Sequence, residues 1–150
     1  MYRFKLEALL NHRRYQEEVC QKELAKAQRV LSDEQEKLDR KKNEKQESLE
    51  KLQTKKKENP TVSDIMLFMN YLTQLSKDIE DQALRVQNST KLVDQKRHEL
   101  ISIMKKRKTL KKIKYKDWQT YQQKLMQDER KLMDEVASTR HVRKMKPGGR

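Results

Sequence analysis

The chain has 150 residues, a formal net charge of +14, 40% charged residues and 33% hydrophobic ones. Gly and Pro occur only twice each, too few to build the turns of a compact globule, so the chain is long helix or disorder. A single cysteine excludes an internal disulfide, and the longest uncharged stretch, Ile65–Ser76, falls short of the ~20 residues that cross a bilayer.

The N-terminal "MYRFKLEALLNHRR" carries Arg3, Lys5 and Glu7 inside its apolar pattern. It is therefore not read as a secretory signal, and a soluble cytoplasmic protein is expected. Stepping by seven from Leu10 gives Glu17, Leu24, Leu31, Leu38, Lys45 and Leu52. The companion row is Leu6, Arg13, Cys20, Ala27, Glu34, Lys41 and Ser48. Two such rows predict a coiled-coil helix over about residues 3–58. Cys20 falls in the seam and reads as a small core residue, since no His or metal-ligand spacing supports it as a reactive thiol.

Asn59-Pro60 should end that helix, because Pro restricts the residue before it and has no amide to donate. A turn is expected at about 59–63. Thr61 and Asp64 have capping-box spacing for the next helix. Asn70 is an alternative cap, which would make residues 62–69 a separate short helix. The second helix is expected over about 64–143, through Ile65, Phe68, Leu72, Leu75, Ile79, Val86, Val93, Leu100, Ile103 and Leu110. From Leu110 to Tyr121 the apolar spacing departs from strict three-four alternation, which predicts a stutter there. The apolar positions then continue through Leu125, Leu132 and Val136. Residues 147–150 are expected to be a disordered tail.

One turn between two heptad segments predicts an all-α fold, a single antiparallel coiled-coil hairpin over 1–146 with the second helix the longer. Residue i of the first helix should face about 120 − i of the second. Roughly the last 25 residues of the second helix would then have no intramolecular partner, by the rise of an α-helix.

Three stretches stand out. Residues 101–124 hold nine basic residues against one acid, Asp117. Within them, Lys105, Lys106, Lys108, Lys111 and Lys112 cover most of the helix surface. They read as a solvated coiled-coil face, as a docking surface for an acidic protein, or as phosphate contacts for nucleic acid. Specific DNA readers also aim Arg, Asn or Gln at base edges, and this stretch is mostly Lys. The second stretch is "IMLFMNYLTQL", Ile65–Leu75. Its five consecutive apolar residues cannot all enter one seam, and the facing "DRKKNEKQES" of Asp39–Ser48 has no apolar residue. The surplus is either a partner site or a local core over Leu72 and Leu75. The third is the overhang with Trp118, Tyr121, Leu125, Met126, Leu132, Met133 and Val136, an amphipathic helix that must find another chain, self-associate or fray.

Catalysis has no candidate: His12, His98 and His141 lack metal spacing, there is no Gly-rich phosphate loop, and the acids alternate with Lys as helix surface charges. No cofactor or metal is expected.

"YRFKLEALLNHRRYQEE" (Tyr2–Glu18), "FMNYLTQLSKDI" (Phe68–Ile79) and "DERKLMDEVASTRH" (Asp128–His141) resemble, in that order, the FliJ family of the bacterial flagellar export apparatus. The Asp134-Glu135-Val136-Ala137…Arg140 ending is the most particular piece. The resemblance implies a non-enzymatic coiled-coil stalk, similar to the gamma subunit of rotary ATPases. It also implies three partners: a hexameric export ATPase, an export gate membrane protein and export chaperones. On this reading Phe68, Tyr71, Leu72 and Leu75 would meet the gate or a chaperone. Lys105, Lys106, Lys108, Lys111, Lys112, Trp118, Tyr121, Leu125, Leu132 and Val136 would sit at the ATPase. The protein would lie in the cytoplasm, peripheral to the inner membrane. The rival readings are a basic nucleic-acid-associated coiled coil, with nucleic acid the weaker expectation, and a dimeric scaffold.

Overall fold

A computed structural model describes residues 1–145. It contains two helices, α1 (Glu7–Lys56) and α2 (Val62–Met145), which form an antiparallel hairpin. The expected 147–150 tail lies outside the described residues.

Helix α1 starts later than the heptad pattern predicts. Phe4 is buried ahead of it, and the Glu7 amide donates to the Phe4 carbonyl at 3.2 Å. An acid in the first turn suits the positive helix end. At the other end the Lys57 and Glu58 amides donate to Thr54 and Lys55 carbonyls at 3.2 and 3.0 Å, tightening the last turn. Asn59 then takes φ 50, a left-handed conformation that Asn tolerates at a helix C-terminus. Thr61 caps α2: its Oγ1 accepts from the Asp64 amide at 3.2 Å. With that cap made, α2 runs unbroken from Val62 through Asn70, and residues 62–69 are its first turns rather than a separate helix.

Contacts along the chain group into two units. One comprises Gln16–Ile103. Its α1 seam holds both heptad rows: Ala27, Ser48 and Leu52 are buried, and Glu17, Cys20, Leu24, Leu31, Glu34, Leu38, Lys41 and Lys45 are half-buried. On α2 the seam steps by fours and threes through Leu72, Leu75, Ile79, Gln82, Val86, Ser89, Val93, Lys96 and Leu100, all buried or half-buried. Several polar side chains bond across the pair. Gln82, 1% exposed, donates from Nε2 to the Glu34 carbonyl at 2.9 Å and also to the Glu34 carboxylate. Lys96 Nζ meets Glu23 at 3.1 Å, and Tyr71 Oη donates to Glu44 at 2.7 Å.

The other unit joins residues 1–15 to the chain from Met104 onward. Phe4, Leu10 and Leu110 are its buried apolar side chains. The stutter expected between Leu110 and Tyr121 is not there. Three-four spacing continues through Leu110, Lys114, Asp117 and Tyr121, and polar residues fill the two positions an apolar count skips, Lys114 half-buried and Asp117 exposed. Lys114 Nζ pairs with Glu7 at 2.8 Å. Tyr2 Oη donates to Asp117 Oδ2 at 2.9 Å and lies 3.3 Å from the Lys114 carbonyl. The Tyr2 ring packs on Tyr121 with centroids 5.3 Å apart.

Candidate functional site

Two surfaces and one side-chain cluster have the makings of a site. In the Gln16–Ile103 unit, the four side chains expected to face a gate or chaperone divide. Leu72 and Leu75 are 7% and 6% exposed and belong to the seam. They are corrected from partner surface to core, because the four-three phase that carries Ile79 and Gln82 inward carries them inward too. Phe68 is half-buried, with Lys55 Nζ 4.8 Å above its ring. Tyr71 remains accessible, its hydroxyl held by Glu44. That bond, more than partial burial, raises the Tyr71 phenol above its ordinary value. The apolar surface left over is Val62, Met66, Leu67 and Met69, each at least half exposed. The sequence holds the signal for this division: Ile65, Phe68, Leu72 and Leu75 step in seam phase, so Met66, Leu67 and Met69 fall outside it.

In the unit that contains Met104–Met145, the five lysines Lys105, Lys106, Lys108, Lys111 and Lys112 are all exposed. On the same helix Tyr115 and Trp118 stack, centroids 6.3 Å apart, and both stay open to solvent. Tyr121 is half-buried against Tyr2 and so belongs partly to the intramolecular seam. Beyond it, every residue from Gln123 to Met145 is exposed, including Leu125, Met126, Leu132, Met133 and Val136.

The cluster is Cys20, Glu23 and Glu99, whose ligand atoms lie within 4.8 Å of one another. Lys96 Nζ lies 3.1 Å from Glu23 and 3.5 Å from Glu99. Its ammonium supplies the positive charge these carboxylates need, and the Glu23 bond raises the Lys96 pKa. Burial, aided by the two carboxylates, raises the Cys20 thiol, so its nucleophilic thiolate is disfavoured. The cluster is a seam ion pair around a small side chain. His12, His98 and His141 are exposed, and none is a member of the cluster.

The chemistry on offer is therefore recognition: a coiled-coil hairpin with a basic helix face and an unpaired amphipathic end. The chain matches the family model described as flagellar FliJ protein over residues 2–146. It belongs to the FliJ family, and at that level it is a protein related to type III export. Among solved structures it is similar to a protein described as a YscO homolog of Chlamydia trachomatis. The TM-score is 0.59 at 20% identity, over 97% of this chain and 99% of that one. At that identity the likeness is one of fold. No curated protein matches the sequence. Among the described residues, no helix is long and apolar enough to cross a membrane.

Proposed function

We propose that the chain is the stalk of a type III export apparatus, coupling a hexameric export ATPase to the export gate at the cytoplasmic face of the inner membrane and escorting export chaperones. The observation that carries this reading is the free end of α2. A helix with Leu125, Leu132 and Val136 exposed on it gains stability only by packing against another chain. Family membership makes the ATPase the fitting partner. The exposed lysines upstream would steer the helix toward an acidic pore, raising the rate of encounter more than the final affinity. Phe68 and Tyr71, with Met66, Leu67 and Met69 beside them, give a gate or chaperone an adaptable apolar surface.

The test is stimulation of the purified export ATPase. Trp118→Ala combined with Leu125→Ala and Leu132→Ala should abolish stimulation while helix content stays near wild type, since all three side chains are exposed. Stimulation unchanged by the triple variant would defeat the assignment. Changing Lys105, Lys106, Lys108, Lys111 and Lys112 together to Gln should slow association and remove its salt sensitivity, with part of the stimulation surviving. Should the wild type instead bind nucleic acid with a steep salt slope and leave the ATPase untouched, the nucleic-acid reading would take its place.

A further inference from the structure

The free end of α2 has an apolar stripe interrupted by charge, and the interruptions match each other. Met126, Glu129, Met133, Val136, Arg140 and Arg143 follow at intervals of three and four, so they line one face. All are exposed. Glu129 and Arg140 lie on that face eleven residues apart, three helical turns, on either side of Met133 and Val136. A charge in the middle of a seam is costly unless its opposite faces it. Within one helix these two are too far apart to meet, and neither has an ion pair among the described residues.

From this pattern we propose that the face binds a second copy of the same chain, as a two-fold antiparallel pair over residues 124–145. In such a pair each seam position of one kind faces the other kind in its partner. Set Glu129 against Arg140 of the second copy and the rest of the register follows. Met133 faces Val136, Val136 faces Met133, and Arg140 faces Glu129. The pairing is closed and self-complementary, with an apolar centre and an ion pair at each flank. Beside the seam, Leu132 comes near Thr139 and Arg130 near Ala137, so no like charges meet there. Sliding the pair by one heptad is the natural competitor, but it sets Glu129 against Met133 in one direction and Arg140 against Val136 in the other, leaving the charges unpaired. The overlap begins beyond Gln122, where intramolecular packing stops, so each copy contributes only its free helix. A copy paired in this way withholds the face from any other protein. The inference concerns the purified chain alone and does not rest on the ATPase reading.

The experiment is sedimentation equilibrium of the full chain over a concentration series, with reciprocal charge reversals. Wild type should form a reversible dimer. Glu129→Arg sets Arg against Arg at both flanks, and Arg140→Glu sets Glu against Glu. Each should weaken dimerisation at least about tenfold, as like charges do across an interface. An equimolar mixture of the two variants should regain association as a heterodimer, and the double variant E129R/R140E should dimerise like wild type. The reversed side chains are exposed, so helix content by circular dichroism should not change. A wild-type chain that stays monomeric throughout would overturn the proposal. So would single reversals that dimerise unchanged, or a mixture that fails to recover.

Discussion

The seam of residues 16–103 and the helix end of residues 123–145 treat side chains in opposite ways. In the seam, Gln82 and Ser48 are buried, and Glu34, Lys41, Lys45 and Lys96 are half-buried. At the end, Leu125, Leu132, Met133 and Val136 face solvent. Residue type alone does not settle burial. A helical position is buried when its phase points at a second helix and that helix is present. Where phase and partner agree, polar groups go inside and find partners across the pair, as Gln82 finds Glu34. Where the partner is missing, apolar groups stay outside.

The contrast breaks most directly by truncating one leucine of each kind. Leu75 is 6% exposed, and Leu75→Ala should cost about 2–5 kcal/mol, the range for a buried leucine that leaves a cavity. Leu132 is 62% exposed, and Leu132→Ala should stay within about 0.5 kcal/mol. Thermal melts followed by circular dichroism in dilute solution measure both. A large loss at Leu132 at concentrations where the chain is monomeric would mean that the helix end packs within the chain.

Much of this was legible in the sequence, because the heptad rows are a statement about phase. The Leu10 and Leu6 rows mark the α1 seam, polar members included, and only Leu6 itself, 40% exposed, falls outside it. The hairpin, the break at Asn59-Pro60 and the cap at Thr61 follow from local chemistry. The rest is carried by phase, which the run of apolar residues alone does not show. Apolar positions alone suggest a stutter at Lys114 and Asp117, although both keep the three-four spacing and bond Glu7 and Tyr2. An apolar count likewise skips Gln82 and Lys96 between Ile79 and Leu100, whereas for Leu72 and Leu75 the phase itself favours the local core over the partner surface. No pattern within a single helix says which charged residue crosses to which. The Lys96 bridge to Glu23 depends on register across the pair.

The buried polar layer offers a second and smaller effect. Gln82 Oε1 has no hydrogen-bond partner although the side chain is buried, while Nε2 is satisfied by Glu34. Glu34→Ala should remove one acceptor of the amide and cost about 1–2 kcal/mol, the penalty for weakening a buried polar pair from one side. Replacing both partners, Glu34→Leu with Gln82→Leu, should instead be neutral or stabilising by about 1–3 kcal/mol, since an apolar layer then replaces a half-satisfied polar one. Urea midpoints of the two variants, one below and one at or above wild type, would show that the layer adds no stability that an apolar one would not supply. A double variant less stable than Glu34→Ala would reverse it.

The smallest effect is one of pH, and it is confined to the packed parts of the molecule. Tyr2 and Tyr71 each give a phenol proton to a carboxylate, Asp117 and Glu44. For Tyr2 partial desolvation is the larger cause of a raised pKa, with the Asp117 bond next. For Tyr71 the Glu44 bond comes first. In both, folding favours the protonated phenol. Their contribution is therefore fully present below the ordinary phenol value of about 10 and is lost as pH rises through the raised folded value. The melting temperature should accordingly decline above about pH 10, and modestly, because solvent screens both pairs. Tyr2→Phe and Tyr71→Phe together should remove the first part of that decline and lower the neutral-pH melting temperature slightly. The remaining slope would include Lys96, whose raised pKa keeps its bridge to Glu23 beyond the ordinary lysine range. Residues 123–145 contain no tyrosine, so truncating α2 after Gln122 should leave the alkaline profile as it was. A truncation that altered it would show that the helix end takes part in the fold's titration, and the division between packed seam and free helix would fail there.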